Sequence, residues 1–134
     1  MVGLFIEVNI LDNQTLLKHT EELRNWIEEA YEQYQKGKAE EEYPSYDFYQ
    51  DIQPAVVKFD KQMEEWLTAS ISFIHHVKPK YLHEEQLEAV QENGKEVVLQ
   101  SYFGKQHATR VKNLVESVIY TLNLLIEEIN LKRS

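Results

Sequence analysis

Apolar residues recur along most of this chain at alternating steps of four and three positions, a spacing that returns side chains to one face of an α-helix. Four segments keep this spacing and predict four helices, at about residues 13–36, 46–77, 83–103 and 107–131. The positions on the four predicted inner faces are, in chain order, Leu16, Thr20, Leu23, Ile27, Ala30 and Tyr34; Ile52, Val56, Phe59, Met63, Trp66, Ser70, Phe73 and Val77; Leu87, Val90, Gly94, Val97 and Ser101; and Val111, Val115, Val118, Leu122, Leu125 and Ile129.

Glycine and proline refine the predicted helix ends and interiors. Gly37 is expected to end the first helix. Pro54 lies inside the second segment, and because proline is tolerated only in a first helical turn, we expect a short lead-in over residues 46–52 and a kink or restart at Pro54. Gly94 costs about 1 kcal/mol relative to alanine in a helix interior. Its presence indicates either close approach to a neighbouring helix or a local break.

The predicted helices are joined by short connections, at residues 78–82 and 103–106, which make consecutive helices antiparallel neighbours. The predicted fold is therefore all-α: an antiparallel up-and-down four-helix bundle over residues 12–134. Residues 1–11 do not share the helical spacing. Their apolar positions alternate with a period of two and no second strand is evident, so we expect an N-terminal arm that is extended or disordered.

Charge is unevenly distributed along the 134 residues. Residues 1–65 hold 15 acids and 6 bases, whereas residues 66–134 hold 8 of each, so the net charge of −9 belongs to the first half. A field of this sign repels a phosphate backbone and argues against nucleic-acid binding. The apolar run at 117–126 is too short to span a bilayer, no signal-peptide pattern precedes the first helix, and cysteine is absent. We predict a soluble, cytoplasmic protein without membrane contact.

Four stretches carry a family resemblance: "SYDFYQDIQPAV" (45–56), "KPKYLHEEQLEAV" (78–90), "VLQSYF" (98–103) and "SVIYTL" (117–122). They resemble the YppE-like family, small helical-bundle proteins of Gram-positive bacteria, and the resemblance runs from about residue 13 to residue 130. It implies an antiparallel four-helix bundle and no known activity, cofactor or catalytic residue. The chain departs from the family pattern in the arm before residue 12 and at Gly94, where a bulky apolar residue is expected.

The corner between the second and third predicted helices holds three of the five histidines and raises the question of a metal site. Because the second helix must end before Pro79, His75 and His76 lie near a helix C-terminus, where cationic groups are favoured by the macrodipole. His83 and Gln86 suit a capping arrangement at the start of the third helix. Adjacent histidines point about 100° apart on a helix. The pattern favours capping, and we predict no metal and no cofactor.

Opposite charges are predicted to meet at the other end of the bundle. The acidic loop 37–47 and the loop 103–107 share that end, and Lys105, His107 and Arg110 lie around the start of the fourth helix. Basic residues there oppose the helix macrodipole, so an anionic group should lie nearby. The favoured interpretation is that the acidic loop folds over them. The alternative is an external anion, such as phosphate, held by these side chains and the free N–H groups of the first turn.

Two surfaces are candidates for contact with other proteins. Tyr43, Tyr46 and Tyr49 lie in and just after the acidic loop, where they either pack over the bundle end or form a partner site. The segment 114–126 of the fourth helix is richer in apolar residues than one inner face requires. The surplus either makes this helix the most enclosed of the four or leaves a patch for a second subunit, which would make the protein a homodimer.

The sequence favours a non-enzymatic cytoplasmic helical bundle that acts through contacts with another protein. The alternative is a small-ligand or anion-binding module that uses the N-terminus of the fourth helix. An enzyme is disfavoured, and no catalytic residue is predicted, because the sequence contains no cysteine, glycine-rich phosphate loop, nucleophile elbow or converging carboxylate pair.

Overall fold

The computed structural model describes the backbone of residues 2–133 and the side chains of residues 13–132. The elements are α1 (Val2–Ala39), one π-helical turn (Phe48–Ile52), α2 (Gln53–Val77), α3 (Glu84–Phe103) and α4 (Ala108–Arg133). These helices pack as an antiparallel up-and-down bundle, which confirms the predicted fold class. No strand occurs in the described backbone, and no helix in it has the length and apolar character needed to cross a membrane.

Helix α1 begins at Val2 in the described backbone. The prediction of an N-terminal arm over residues 1–11 falls on side chains outside the described part of the chain, and it stays a prediction. The same helix also passes Gly37 and ends at Ala39. Gly37 is therefore not the end of the helix.

The start of α2 follows the prediction drawn from Pro54. The lead-in is the π-helical turn, with Asp47 as its N-cap: the Asp47 carboxylate accepts a hydrogen bond from the Gln50 N–H at 2.7 Å. Asp51 accepts a hydrogen bond from the Asp47 N–H at 3.0 Å. The α-helix restarts at Gln53, so Pro54 lies in the first turn, where its missing N–H removes no helical hydrogen bond.

The core contains most of the predicted inner-face positions together with Leu17, Ile74, Leu82 and Val98, and its largest members have almost no exposed surface. One buried polar chain crosses it: the Trp66 indole N–H donates to the Thr20 hydroxyl at 3.0 Å, and that hydroxyl donates to the Leu16 carbonyl at 2.6 Å. Among the described side chains, no buried nitrogen or oxygen lacks a hydrogen-bond partner. Side chains with less than 2% exposure include Trp66, Tyr34, Phe59, Ile27, Met63, Leu87, Leu122, Leu125 and Ile129.

Gly94 lies where α3 approaches both α1 and α2. Helix α3 is continuous through it, so close approach, and not a local break, accounts for the glycine. A Cβ at this position would lie 3.2 Å from Phe59 Cζ, 3.5 Å from Ile27 Cδ1 and 3.7 Å from Met63 Cε. These neighbours belong to α1 and α2, so a bulky residue at 94 would push the three helices apart. Besides its adjacent helices α2 and α4, α1 thus contacts α3 across the bundle.

The surplus apolar residues of α4 are largely covered within the chain. Leu114, Ile119, Leu124 and Ile126 are half-buried and pack against the core. Tyr120 differs, with 65% of its surface exposed. The enclosed-helix alternative therefore describes most of this segment, and a homodimer through α4 would have Tyr120 as its main apolar contact.

We expect Gly94→Leu to lower the free energy of unfolding by about 1–3 kcal/mol, because the added side chain meets Phe59 and Ile27 in a closely packed site. Urea denaturation followed by circular dichroism measures the change. Gln91→Leu is the matched control, since position 91 is exposed on the same helix, and it should stay within about 0.5 kcal/mol of the parent. Equal stability of the two variants would contradict close packing around Gly94.

Candidate functional site

The bundle end that carries the loop between α1 and α2 (residues 40–47) and the loop between α3 and α4 (residues 104–107) is the candidate site, and we call it the loop end. Side chains of α1 and of its loop reach across to α3 and its loop. The Tyr43 hydroxyl donates to the Ser101 carbonyl at 2.6 Å, the Tyr34 hydroxyl donates to the Gln106 carbonyl, and the Gln33 amide donates to the Ser101 carbonyl at 2.8 Å. The two loops therefore meet, as the topology predicts.

Tyr43 is held against the loop end by two glycines. A Cβ at Gly37 would lie 2.3 Å from Tyr43 Cε2, and a Cβ at Gly104 would lie 2.3 Å from Tyr43 Cδ2, so any side chain at either position would overlap the ring. Gly104 also ends α3 in the left-handed region, with φ 61°, which glycine adopts without steric cost. The ring of Tyr43 thus fits where α1 and the end of α3 both lack side chains.

Burial raises the pKa values of three tyrosines at the loop end, and the effect is largest for Tyr43. It raises the pKa of Tyr43 to about 12, with smaller contributions from the neighbouring rings of Tyr46 and Tyr34, because the charged phenolate would be poorly solvated. Burial also raises the pKa of Tyr34 and that of Tyr102. The Tyr43 hydroxyl therefore stays protonated at neutral pH and donates to the Ser101 carbonyl, so Tyr43 has a structural role at the loop end.

Gln100 is a buried polar residue that the sequence reasoning missed. Its side-chain carbonyl accepts hydrogen bonds from the backbone N–H groups of Lys105 and Gln106, each at 2.8 Å. These N–H groups lie just after the end of α3, where the helix supplies no acceptor. The signal in the sequence is a glutamine four residues before Gly104, close enough to reach the following turn. Two of the N–H groups near the start of α4 are thus already occupied.

The predicted anion-binding residues are exposed at the start of α4. Lys105, His107 and Arg110 all face solvent, and no ion pair within the described side chains joins any of them to the acidic loop. The prediction that the acidic loop folds over these bases therefore has no direct ion pair to support it among the described side chains. His107 and Arg110 border a shallow groove that also includes the polar side chains of Thr109, Asn113 and Ser117. Lys105 does not line it.

The three candidate partner tyrosines have different environments. Tyr43 is half-buried and fixed by its hydroxyl, and Tyr46 packs edge-to-face on Tyr102 with ring centroids 5.2 Å apart. Tyr49 is 76% exposed. It forms an edge-to-face pair with Phe48, which is 52% exposed, at 5.2 Å between centroids. The structure thus leaves Tyr49 on the surface beside Phe48, which was not among the three residues predicted as partner contacts.

The histidine corner has the capping geometry that the sequence favours. α2 ends at Val77, before Pro79, and the Gln86 side chain accepts a hydrogen bond from the His83 N–H at 2.7 Å at the start of α3. His75 contacts Glu84 at 3.1 Å, which links the end of α2 to the first turn of α3. Among residues 13–132, no group of three or more histidine or acidic side chains is arranged to hold a metal ion.

Comparisons with known proteins agree with this architecture. Residues 20–129 match the model of DUF1798, a bacterial domain of unknown function. The chain is 42% identical over 117 residues to the uncharacterised protein YppE of Bacillus subtilis strain 168, covering 87% of this chain and 94% of that protein. These matches confirm the resemblance seen in the sequence.

Solved structures show the same fold. The crystal structure of YppE from Bacillus subtilis superposes with a TM-score of 0.86 at 41% identity, covering 90% of this chain and 96% of that one. The crystal structure of a protein of unknown function from Listeria innocua gives a TM-score of 0.85 at 25% identity, covering 92% of this chain and 98% of that one. The bundle is therefore shared across these bacterial relatives.

We expect Tyr43 to make stability depend on alkaline pH. Its folded-state pKa of about 12 exceeds the ordinary value of 10.0, so its contribution is complete below pH 10 and is lost as the pH rises from 10.0 to about 12. Tyr43→Phe removes the hydroxyl, which should cost about 0.5–1.5 kcal/mol at pH 7 and flatten the alkaline decline. Urea denaturation at a series of pH values measures both effects.

The control for Tyr43→Phe is Tyr49→Phe, which changes an exposed ring in the same way and should leave the pH profile as in the parent protein. An unchanged alkaline profile in Tyr43→Phe would show that the hydroxyl is not held by the loop end.

Proposed function

This chain belongs to the bacterial DUF1798 family, and from that premise we propose that it is a non-enzymatic cytoplasmic helical bundle that acts by binding another protein. The observation that carries the proposal is the pair Phe48 and Tyr49, which we call the aromatic pair. Aromatic side chains are enriched at protein interfaces because they remove a large apolar area from water and lose little conformational freedom. Phe48 and Tyr49 are two exposed rings in direct edge-to-face contact, which makes them a continuous apolar surface suited to binding.

The surroundings of the aromatic pair define the chemistry of the partner. Asp47 and Asp51 flank the pair on the π-helical turn, and the preceding loop adds the exposed Glu40, Glu41 and Glu42. A partner that matches this surface presents lysine or arginine side chains around an apolar contact, since complementary charge steers association and rejects acidic partners. The proposed partner is therefore a basic segment of another cytoplasmic protein.

The loop end supplies the rigidity that such a surface needs. Asp47 caps the turn that carries the aromatic pair, and Tyr46, one residue earlier, is packed on Tyr102. Tyr43, fixed between Gly37 and Gly104, anchors the loop to α3. A surface held in its binding conformation loses less entropy on association. Tyr43 and Tyr46 thus support the contact surface, and the aromatic pair makes the contact.

The interior of the bundle supports a role without catalysis. The buried polar groups of the core are engaged in structural hydrogen bonds: Thr20 with Trp66, and Gln100 with the turn after α3. Catalytic groups, by contrast, are usually held in a cleft with shifted acidity and access to substrate. Among the described side chains, the pKa shifts belong to tyrosines whose hydroxyls or rings pack at the loop end.

A second candidate function, anion binding at the start of α4, is favoured by one observation. Arg110 and His107 are exposed without a carboxylate partner among the described side chains, and they border a groove with hydroxyl and amide groups. The occupied N–H groups of Lys105 and Gln106 count against it, because they cannot also donate to an anion. Binding would depend on the side chains and on the N–H groups after residue 107.

We expect affinity capture from the native cytoplasm, followed by mass spectrometry, to recover a partner whose binding is lost in Phe48→Ser/Tyr49→Ser. Aromatic contacts at the centre of an interface cost at least about 2 kcal/mol when truncated, so affinity should fall by about 30-fold or more. Higher salt should also weaken capture, because the partner is basic.

Tyr81→Ser is the matched control for the capture experiment, since Tyr81 is 71% exposed and lies in the loop between α2 and α3, at the opposite end of the bundle. It should retain the partner. If the double variant retains the same partner, the aromatic pair is not the binding surface. If no specific partner is recovered, the proposal that this protein acts by binding another protein is wrong.

The anion-binding candidate is tested separately by nuclear magnetic resonance. If it holds, phosphate shifts the amide signals of residues 107–110, and Arg110→Gln abolishes the shift while Lys112→Gln, one position outside the groove, does not. Unchanged amide signals over residues 104–110 at saturating phosphate would exclude this candidate and leave the protein-binding proposal untouched.

A further inference from the structure

A small groove lies between the last turns of α1 and the loop that follows, and we call it the α1–loop groove. It has a volume of about 360 Å³, at the lower end of the range for ligand sites. Residues of α1 from Glu29 to Gly37, with Glu40 just after the helix, form one wall, and Pro44 and Tyr46 form the other. The part of α1 over residues 13–28 is about 24 Å long, so this groove lies far from the first turns of the helix.

Two carboxylates of the α1–loop groove have no cationic partner. Glu32 pairs with Lys36 at 2.9 Å, and the Gln33 amide is bonded to a carbonyl of α3. Glu29 and Glu40 are exposed, and no ion pair among the described side chains includes either of them. Because Glu32 balances the charge of Lys36, the groove keeps two negative charges.

The end of α1 makes the α1–loop groove more favourable for a cation. The last carbonyl groups of a helix have no partner within it, and the macrodipole places about half a negative charge there. Helix α1 ends at Ala39, so Lys36 and Gly37, which line the groove, belong to its last turn. The other lysine of that turn, Lys38, lies over the Tyr34 ring at 5.7 Å from its centroid and does not line the groove.

Tyr46 gives the α1–loop groove an aromatic wall. Its ring is half-buried and is fixed by the edge-to-face contact with Tyr102. An aromatic ring attracts a cation, and a guanidinium group can stack on the ring while its planar set of donors bonds carboxylates. A lysine ammonium is a strongly hydrated point charge and lacks this planar fit. The chemistry of the groove therefore matches arginine better than lysine.

The α1–loop groove lies beside the aromatic pair. Asp47, which separates Tyr46 from Phe48, has an extended backbone with φ −75° and ψ 128°. The Cα atoms of Tyr46 and Phe48 are therefore about 7 Å apart, the length of two residues in an extended chain. A partner segment in contact with the aromatic pair thus passes within a few residues of the groove.

We propose that the α1–loop groove binds an arginine side chain of the partner protein, a few residues away from the apolar contact that the partner makes with the aromatic pair. The carboxylates of Glu29 and Glu40 accept hydrogen bonds from the guanidinium group, and Tyr46 contacts its plane. This inference rests on the proposed function, which requires a basic partner. It adds which basic residue is recognised and where it binds.

Nuclear magnetic resonance titration of the full chain with N-acetyl-arginine amide tests the groove without the partner. N-acetyl-lysine amide is the matched control, because it carries the same charge. The arginine probe should shift the amide signals of residues 29–40 and of Tyr46. Its affinity should exceed that of the lysine probe by about tenfold, within the range that a cation–π contact contributes.

Two results of the titration would overturn the proposal. One is equal affinity for the two probes. The other is a set of shifts confined to residues 60–67 and 88–95, where other exposed acids lie, since it would show that cations bind acidic side chains outside the groove.

Paired glutamine variants separate the groove from the general charge of the loop. Glu29→Gln/Glu40→Gln should lower the affinity for the arginine probe by about fivefold, because both carboxylates lose their charge. Glu41→Gln/Glu42→Gln removes the same charge at exposed positions outside the groove and should keep the affinity within about twofold of the parent. All four glutamates are exposed, so helical circular dichroism should not change. Equal losses in the two variants would contradict a specific groove.

The capture experiment distinguishes failure of this inference from failure of the proposed function. Capture of the partner should be weakened by Glu29→Gln/Glu40→Gln and retained by Glu41→Gln/Glu42→Gln. A partner that is lost in Phe48→Ser/Tyr49→Ser but retained fully in Glu29→Gln/Glu40→Gln would support the proposed function and overturn the arginine site. Recovery of no specific partner would overturn both.

Discussion

The close contact of α1 and α3 across the bundle is the constraint on which the other features depend. It requires a position without a side chain on α3, and Gly94 supplies it beside Phe59 and Ile27. With these two helices together, the space between them is filled by side chains, and buried polar groups find partners such as the Trp66–Thr20 pair. Close packing of this kind leaves binding chemistry to the surfaces and to the ends of the bundle.

The two ends of the bundle are closed by different means. At the loop end, aromatic rings and a buried glutamine hold two loops together, with Tyr43 and Gln100 making the contacts to carbonyl and N–H groups. At the other end, the helix boundaries around Pro79 are set by caps and by the contact between His75 and Glu84. The loop end thus gives an ordered surface for the aromatic pair.

The helical core was predictable because burial has a period that the sequence displays directly. Most of the predicted inner-face positions from Leu16 to Ile129 are buried, with Val56 and Val77 only half-buried, and the restart of α2 at Pro54 follows from the chemistry of proline. The alternation over residues 2–11 is weaker evidence than the helical spacing, because a local pattern of period two does not show whether a strand has a partner to pair with.

The candidate site was predictable only in part. Topology placed the two loops at one end, but the role of each tyrosine depended on contacts between residues far apart in the chain. Tyr43 and Tyr49 are six residues apart and have similar sequence surroundings, yet one is held by two glycines and the other is exposed. The sequence analysis missed Gln100 for a related reason. A polar residue next to a predicted inner face is typical of a solvent-exposed position, so the sequence did not indicate that this glutamine is buried and hydrogen-bonded.

The fit of the Tyr43 ring against two glycines has an evolutionary consequence. Gly37, Tyr43 and Gly104 come from three different segments, and the ring occupies the volume that a methyl group at either glycine would need. Lineages that retain an aromatic residue at 43 are constrained to keep both glycines, while loss of the ring releases the constraint at Gly37 and leaves only the backbone requirement at Gly104. Substitutions at these three sites should therefore covary as descendants of this chain diverge.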